Sequence, residues 1–188
     1  MDHGGWYDLD TKEFKNLCNI NFVAAMLPPI GGRNVVTMRY LRHYNLFYVE
    51  PFDNSSLFKI FGSILEWYFI NLPQSLPKSI TNLKDNVVNS TIELYTKIQT
   101  SKELLPTPAK SHYIYNLRDL SKVFQGITKA GNRSFVNEND FLKLWAHECS
   151  RIFKDRLINT QDQQFFDKML KNMLKDNFKR EWEALVTI

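Results

Sequence analysis

The stretch Asn21–Val49, NFVAAMLPPIGGRNVVTMRYLRHYNLFYV, decides how the chain is read. Ile20–Met26, which overlaps its start, is a short apolar run of the kind that forms a strand buried on both faces. Pro28-Pro29 and Gly31-Gly32 break that run sharply, and Arg33 closes the loop. Thr37 is placed to cap a short helix holding Arg39, Leu41 and Arg42. Leu46–Val49 reads as the next strand, stopped by Pro51. Strand, loop, helix, strand is an α/β pattern, but only part of one.

On either side the character differs. Before it, the glycines and Asp8 in His3-Gly4-Gly5-Trp6-Tyr7-Asp8 predict a turn and irregular structure over Met1–Asn19. After Asp53 the 3.6-residue period takes over. Asn54 or Ser55 is expected to cap a helix with Leu57, Ile60, Phe61, Ile64, Leu65 and Tyr68 on one face, ended by Pro73 and Pro77. Ile80–Ile98 forms a second helix, and Pro106-Thr107-Pro108 marks a loop. Asn116 begins a third helix, with Leu117, Leu120, Val123, Phe124 and Ile127 in register, and Gly131 lies beyond its end. Asn137 caps a fourth, and a final helix carries Phe165, Met169, Met173 and Phe178. The fold class is thus an α/β remnant followed by a mostly α-helical bundle, divided near Pro51–Asp53.

Composition narrows the function classes. At 188 residues and 44% hydrophobic, the chain can bury a core. Its apolar run at Ser63–Leu72 carries Glu66 and Asn71 and is too short for a bilayer, and no leader pattern opens the chain, so neither a membrane partner nor secretion is expected. The net charge of +4 comes from interspersed acids and bases, which argues against a dedicated nucleic-acid surface. Cys18 and Cys149 lack metal-ligand spacing and read as free thiols. His147-Glu148-Cys149-Ser150-Arg151 opens like the zinc-protease helix, but Arg151 stands where the second histidine belongs, so no metal site is expected. His147, Arg151 and Asp155 read instead as a polar helix edge.

Two arginine groups could carry chemistry. Arg118 falls in the first turn of the helix begun by Asn116, where a cation opposes the helix dipole. The placement makes sense if an anion sits at that helix end, with Lys122 one turn on. The plain alternative is a surface arginine paired with Asp119 or Glu103. Arg33, Arg39 and Arg42 form the other group, suited to phosphate by the planar guanidinium fork or simply a solvated basic face. The strand–loop–helix layout beside them is that of the far side of a nucleotide-hydrolysing core. No G-x-x-x-x-G-K-[ST] phosphate-binding loop occurs in the 188 residues.

Four blocks then make a resemblance visible: DHGGWYD at Asp2–Asp8, PPIGGRN with RYLRHYN at Pro28–Asn45, LLPTPAKSHYIYNLRDLSKVFQGI at Leu104–Ile127, and LWAHECSRIFKDRL at Leu144–Leu157. Together, and in this order, they resemble the dynein heavy chains, more narrowly the third AAA+ module of an axonemal dynein. The resemblance implies a partial AAA+ module dominated by its helical lid: residues 1–52 as the end of the α/β large subdomain, 53–158 as the small or lid subdomain, and 159–188 as a helix leading to the next module. The strand ending at Met26 would be the sensor-one strand. Leu27 would stand at the sensor-one position, where many modules have a polar asparagine. Arg42 would be the arginine finger acting on the preceding module's nucleotide, with Arg33 as the alternative. Arg118 would be the sensor-two residue.

For the parent the resemblance implies ATP-driven sliding along microtubules in the cytoplasm, cytoskeleton and ciliary axoneme. ATP or ADP with magnesium would bind the intact module. Partners would be adjacent AAA+ modules, the microtubule, and dynein intermediate and light chains. The segment itself, without the phosphate-binding loop and an acidic magnesium strand, is expected to hold no nucleotide tightly and not to hydrolyse ATP. Two rival readings stand beside this one: a non-catalytic helical protein-interaction module, and the lid of a DNA-handling AAA+ ATPase, which would want a basic stripe where the last helices alternate sign. The orphan strands of the first part are expected to leave it strained, swapped or self-associating.

Overall fold

The computed structural model describes residues 2–26, 34–72, 76–131 and 137–186. They fall into two units, Met1–Pro51 and Phe52–Ile188.

The first unit holds two short antiparallel strands, β1 (Gly5–Tyr7) and β2 (Phe14–Asn16), paired Gly5 to Asn16, Trp6 to Lys15 and Tyr7 to Phe14. Asp8 closes the hairpin. Its carboxylate accepts from the Asp10 N–H at 2.9 Å and the Thr11 N–H at 3.2 Å and pairs with Lys15. Lys12, at φ 61°, supplies the left-handed residue of the turn. This hairpin lies where irregular structure was expected; its strands, three residues each, are too short for a period to be read. The converse error concerns Ile20–Met26 and Leu46–Val49. Neither forms a strand, and Val23 is 95% and Phe47 88% exposed. A strand needs a neighbour to take its backbone N–H and C=O groups, and none of the described residues offers either segment one. Between them, α1 (Met38–Leu41) starts after Thr37 as expected, though the Thr37 hydroxyl makes no cap bond. No described residue of Met1–Pro51 is buried.

The second unit is a helical bundle. Asp53, rather than Asn54 or Ser55, caps α2 (Asn54–Asn71), accepting from the Ser56 N–H at 3.1 Å. The second expected helix is broken at Leu83 into α3 (Lys78–Asn82) and α4 (Lys84–Thr100). Asn116 and Asn137 cap α5 (Leu117–Lys129) and α6 (Glu138–Cys149), as their positions predict. Both build full capping boxes, with Asp119 and Asp140 answering the cap residue's own N–H. A π-helical segment (Ser150–Lys154) extends α6, and α7 (Thr160–Phe178) and α8 (Trp182–Val186) complete the bundle.

The core is formed where α2 packs on α4 and α5, α6 on α5, and α7 on α4. Phe61 stacks on Phe124 with centroids 4.4 Å apart, and Trp145 lies against Phe178 at 5.2 Å. Trp145 is fully buried, and its indole N–H donates to the Thr91 hydroxyl at 2.8 Å, which donates in turn to the Val87 carbonyl. Gly126 has a packing reason: a Cβ there would lie 1.8 Å from Glu148 Oε2. Among the described residues no helix is long and apolar enough to cross a membrane.

Candidate functional site

Tyr113–Asn116 leads into α5, and Tyr113 and Tyr115 anchor it by burial. The Tyr113 hydroxyl donates to Asp162 Oδ2 at 2.8 Å and accepts the Ile158 N–H at 2.9 Å. Lys110 reaches the same Asp162 oxygen at 2.6 Å. Tyr115 donates to the Phe153 carbonyl at 3.2 Å, and burial pushes its hydroxyl up to about 12. The loop before α5 is thereby pinned to the π-helical segment and to the first turn of α7.

The first turn of α5 then presents Asn116, Arg118 and Asp119. The Asn116 side chain accepts from the N–H groups of Arg118, at 2.9 Å, and Asp119, at 3.2 Å. The cap therefore occupies two of the N–H groups that might have faced an anion. Asp119 is buried. It takes the Asn116 N–H at 3.1 Å and two hydrogen bonds from Arg156, at 2.8 and 3.4 Å. Burial works to raise the Asp119 carboxyl, but Arg156, the Asn116 N–H and Lys122 at 3.8 Å outweigh it and hold it below the ordinary value of 3.8. Arg118 itself is exposed. Among the described residues its guanidinium has no ion-pair partner: Asp119 is committed to Arg156, and Glu103 accepts from the Ser101 hydroxyl. Neither pairing weighed for a plain surface arginine is present.

In the first unit, Arg42 follows α1 as its C-terminal cap residue and is about half exposed. Its Nη2 donates to Asp2 Oδ1 at 2.7 Å, and His43 Nε2 lies 3.2 Å from the same oxygen. Burial would raise the Asp2 carboxyl, but the Arg42 and His43 charges outweigh it and lower it. Arg33 and Leu27 lie outside the described residues.

Arg151 pairs with Glu148, at 2.6 and 2.9 Å, and His147, Arg151 and Asp155 are all exposed. Cys149 is fully buried, and burial together with Glu148 raises its thiol well above the ordinary value. No group of three or more metal-ligating side chains occurs among the described residues. What this turn offers chemically is an exposed guanidinium that an anion could meet.

Arg156, Tyr113 and Asp162 escape sequence reasoning. Arg156 lies 37 residues from its partner Asp119, and Tyr113 lies 49 from Asp162. The only signal is that Tyr113 and Arg156 fall inside the blocks quoted above.

Residues 87–186 match the family model described as the AAA+ lid domain, and residues 1–52 that of the P-loop containing dynein motor region. The chain is 44% identical over 98% of its length to dynein axonemal heavy chain 1 of Homo sapiens. It is 38% identical over 98% of its length to dynein axonemal heavy chain 12 of Mus musculus, and 38% over 95% to dynein axonemal heavy chain 6 of Homo sapiens. It spans only 4%, 6% and 4% of those relatives, respectively. The chain belongs to the AAA+ lid domain family, in the form carried by axonemal dynein heavy chains.

Proposed function

We propose that the chain acts as the lid of a nucleotide-binding module in a microtubule motor, with the adjoining edge of that module's α/β subdomain. In this reading the module is the third of the ring, and 53–158 is the lid proper. Arg118 is the sensor-two residue, touching the γ-phosphate of nucleotide held between the module's own subdomains. The observation that carries the reading is Arg118 itself: an exposed guanidinium in the first turn of α5, without an ion pair, beside an aspartate committed to Arg156. A cation opposing the helix dipole is unfavourable unless an anion joins it.

Arg42 is the finger that reaches the preceding module's nucleotide, with Arg33 as the alternative. Its bond to Asp2 is a half-exposed ion pair, weak enough to be exchanged for phosphate. Leu27, at the sensor-one position, has no polar group to offer a phosphate. ATP or ADP supplies the phosphate and magnesium neutralises its charge; this chain's residues bind from the lid side and orient. Arg118 follows the lid as it moves, and the helices beyond the π-helical segment carry that movement toward the next module. The axoneme, the neighbouring modules, the microtubule, and the dynein intermediate and light chains are the surroundings this role implies.

Magnesium ATP offered to the purified 188-residue chain is expected to turn over at background rate, since the phosphate-binding loop must come from elsewhere. Robust turnover that Arg118→Ala abolishes would overturn the assignment.

A further inference from the structure

Arg156 stands directly behind the first turn of α5. Its guanidinium donates to both oxygens of Asp119, at 2.8 and 3.4 Å, and to the Ile114 carbonyl at 3.1 Å. Its Nε donates to the Ile152 carbonyl at 3.2 Å. Its guanidinium carbon lies 4.8 Å from the centre of the Tyr115 ring. One side chain therefore joins three segments: the loop entering α5 and the π-helical segment through their backbone carbonyls, and the N-terminal turn of α5 through the Asp119 carboxylate. That segment is part of the device. Its wider turns, seen where the Asp155 N–H reaches back five residues to the Ser150 carbonyl at 3.1 Å, change the direction in which the next residues project. Arg156 follows two residues after its end.

A positioning role explains why these bonds converge on Asp119. Asp119 is the only acid in the first turn of α5, and in an isolated helix it would partly neutralise its surroundings. Arg156 draws it inward and neutralises it there, which leaves the Arg118 charge uncompensated on the outside. We infer that Arg156 is the positioning residue of the sensor-two turn, fixing the placement and the unpaired charge of Arg118 through Asp119; this rests on the sensor reading of Arg118. It also gives the lid a mechanical link, because a shift of the π-helical segment would be felt at Arg118 through one guanidinium.

A double-mutant cycle in the intact heavy chain carrying this segment tests it, with magnesium mant-ADP as the probe. The class of site that Arg118→Ala weakens is followed. Arg156→Lys keeps the charge but loses the two-pronged geometry. It is expected to weaken binding about fivefold or more when Arg118 is present and to have no further effect in the Arg118→Ala background. Its lowering of the melting temperature should be equal in both backgrounds. Asp119→Asn, which keeps an acceptor for the Asn116 N–H, should show the same pattern and serves if Arg156→Lys does not fold. Equal weakening in both backgrounds, or none in either while Arg118→Ala still weakens binding, overturns the positioning role alone. Unchanged affinity in Arg118→Ala overturns the sensor reading and this inference with it.

Discussion

Arg118 is available because its neighbour is not. Of two consecutive residues in the same helical turn, the cation is exposed and the anion is buried and held by Arg156. The sequence raised the first half as one of two readings, since an arginine in the first turn after a capping asparagine either awaits an anion or pairs with Asp119 or Glu103. The second half was not, because Arg156 comes from 37 residues away and no local spacing announces it. Asp119 also sets a pH dependence. Its folded carboxyl sits below the ordinary 3.8, so its contribution to stability is complete above that value and disappears as pH falls through the lower, folded value. Asp162 behaves alike: burial pushes it up, but Lys110 and Tyr113 outweigh that. Asp119→Asn is expected to melt below the unaltered chain at pH 7, and the gap should narrow as pH is taken below about 3.8. Thermal unfolding followed by circular dichroism measures this, and a gap constant with pH would contradict the assignment of Asp119 as the titrating partner.

At the scale of elements, the long helices of the second unit were readable from their apolar spacing and, for α5 and α6, from a start signal that the structure uses fully; α8, beyond the left-handed Lys179, was not. The break at Leu83 and the π-helical segment were not, since both keep apolar residues near the 3.6 period while altering the backbone bonds beneath them. The link between α4 and α6 through the buried Trp145 indole N–H and Thr91 hydroxyl was equally hidden. Thr91→Val preserves shape and leaves that N–H buried without a partner, a loss of about 1–3 kcal/mol. Thr91→Ser, which restores the hydroxyl, should recover part of it. Urea unfolding of the two variants decides the point; an unchanged midpoint in Thr91→Val would mean the bond contributes nothing.

For the whole molecule, the two units obey different rules. Among the described residues every buried side chain belongs to Phe52–Ile188, and those of Met1–Pro51 bury none. Asn21–Val49 carries the composition of strands covered on both faces, and the described residues provide no sheet to cover them. The pattern was read correctly as composition and wrongly as local structure, because pairing is a property of the neighbours and not of the segment. Such a stretch suits a chain that spans 4% of its first relative and, in the proposed reading, meets the rest of its sheet elsewhere in a longer one. The central claim, that this lid senses nucleotide through Arg118, is best tested in that longer setting. Intact heavy chain carrying Arg118→Ala is titrated with magnesium mant-ADP beside the unaltered chain. Loss of a charge-assisted bond to phosphate predicts binding weaker by about tenfold or more at one class of site, with the others unchanged. Identical titrations would contradict the account.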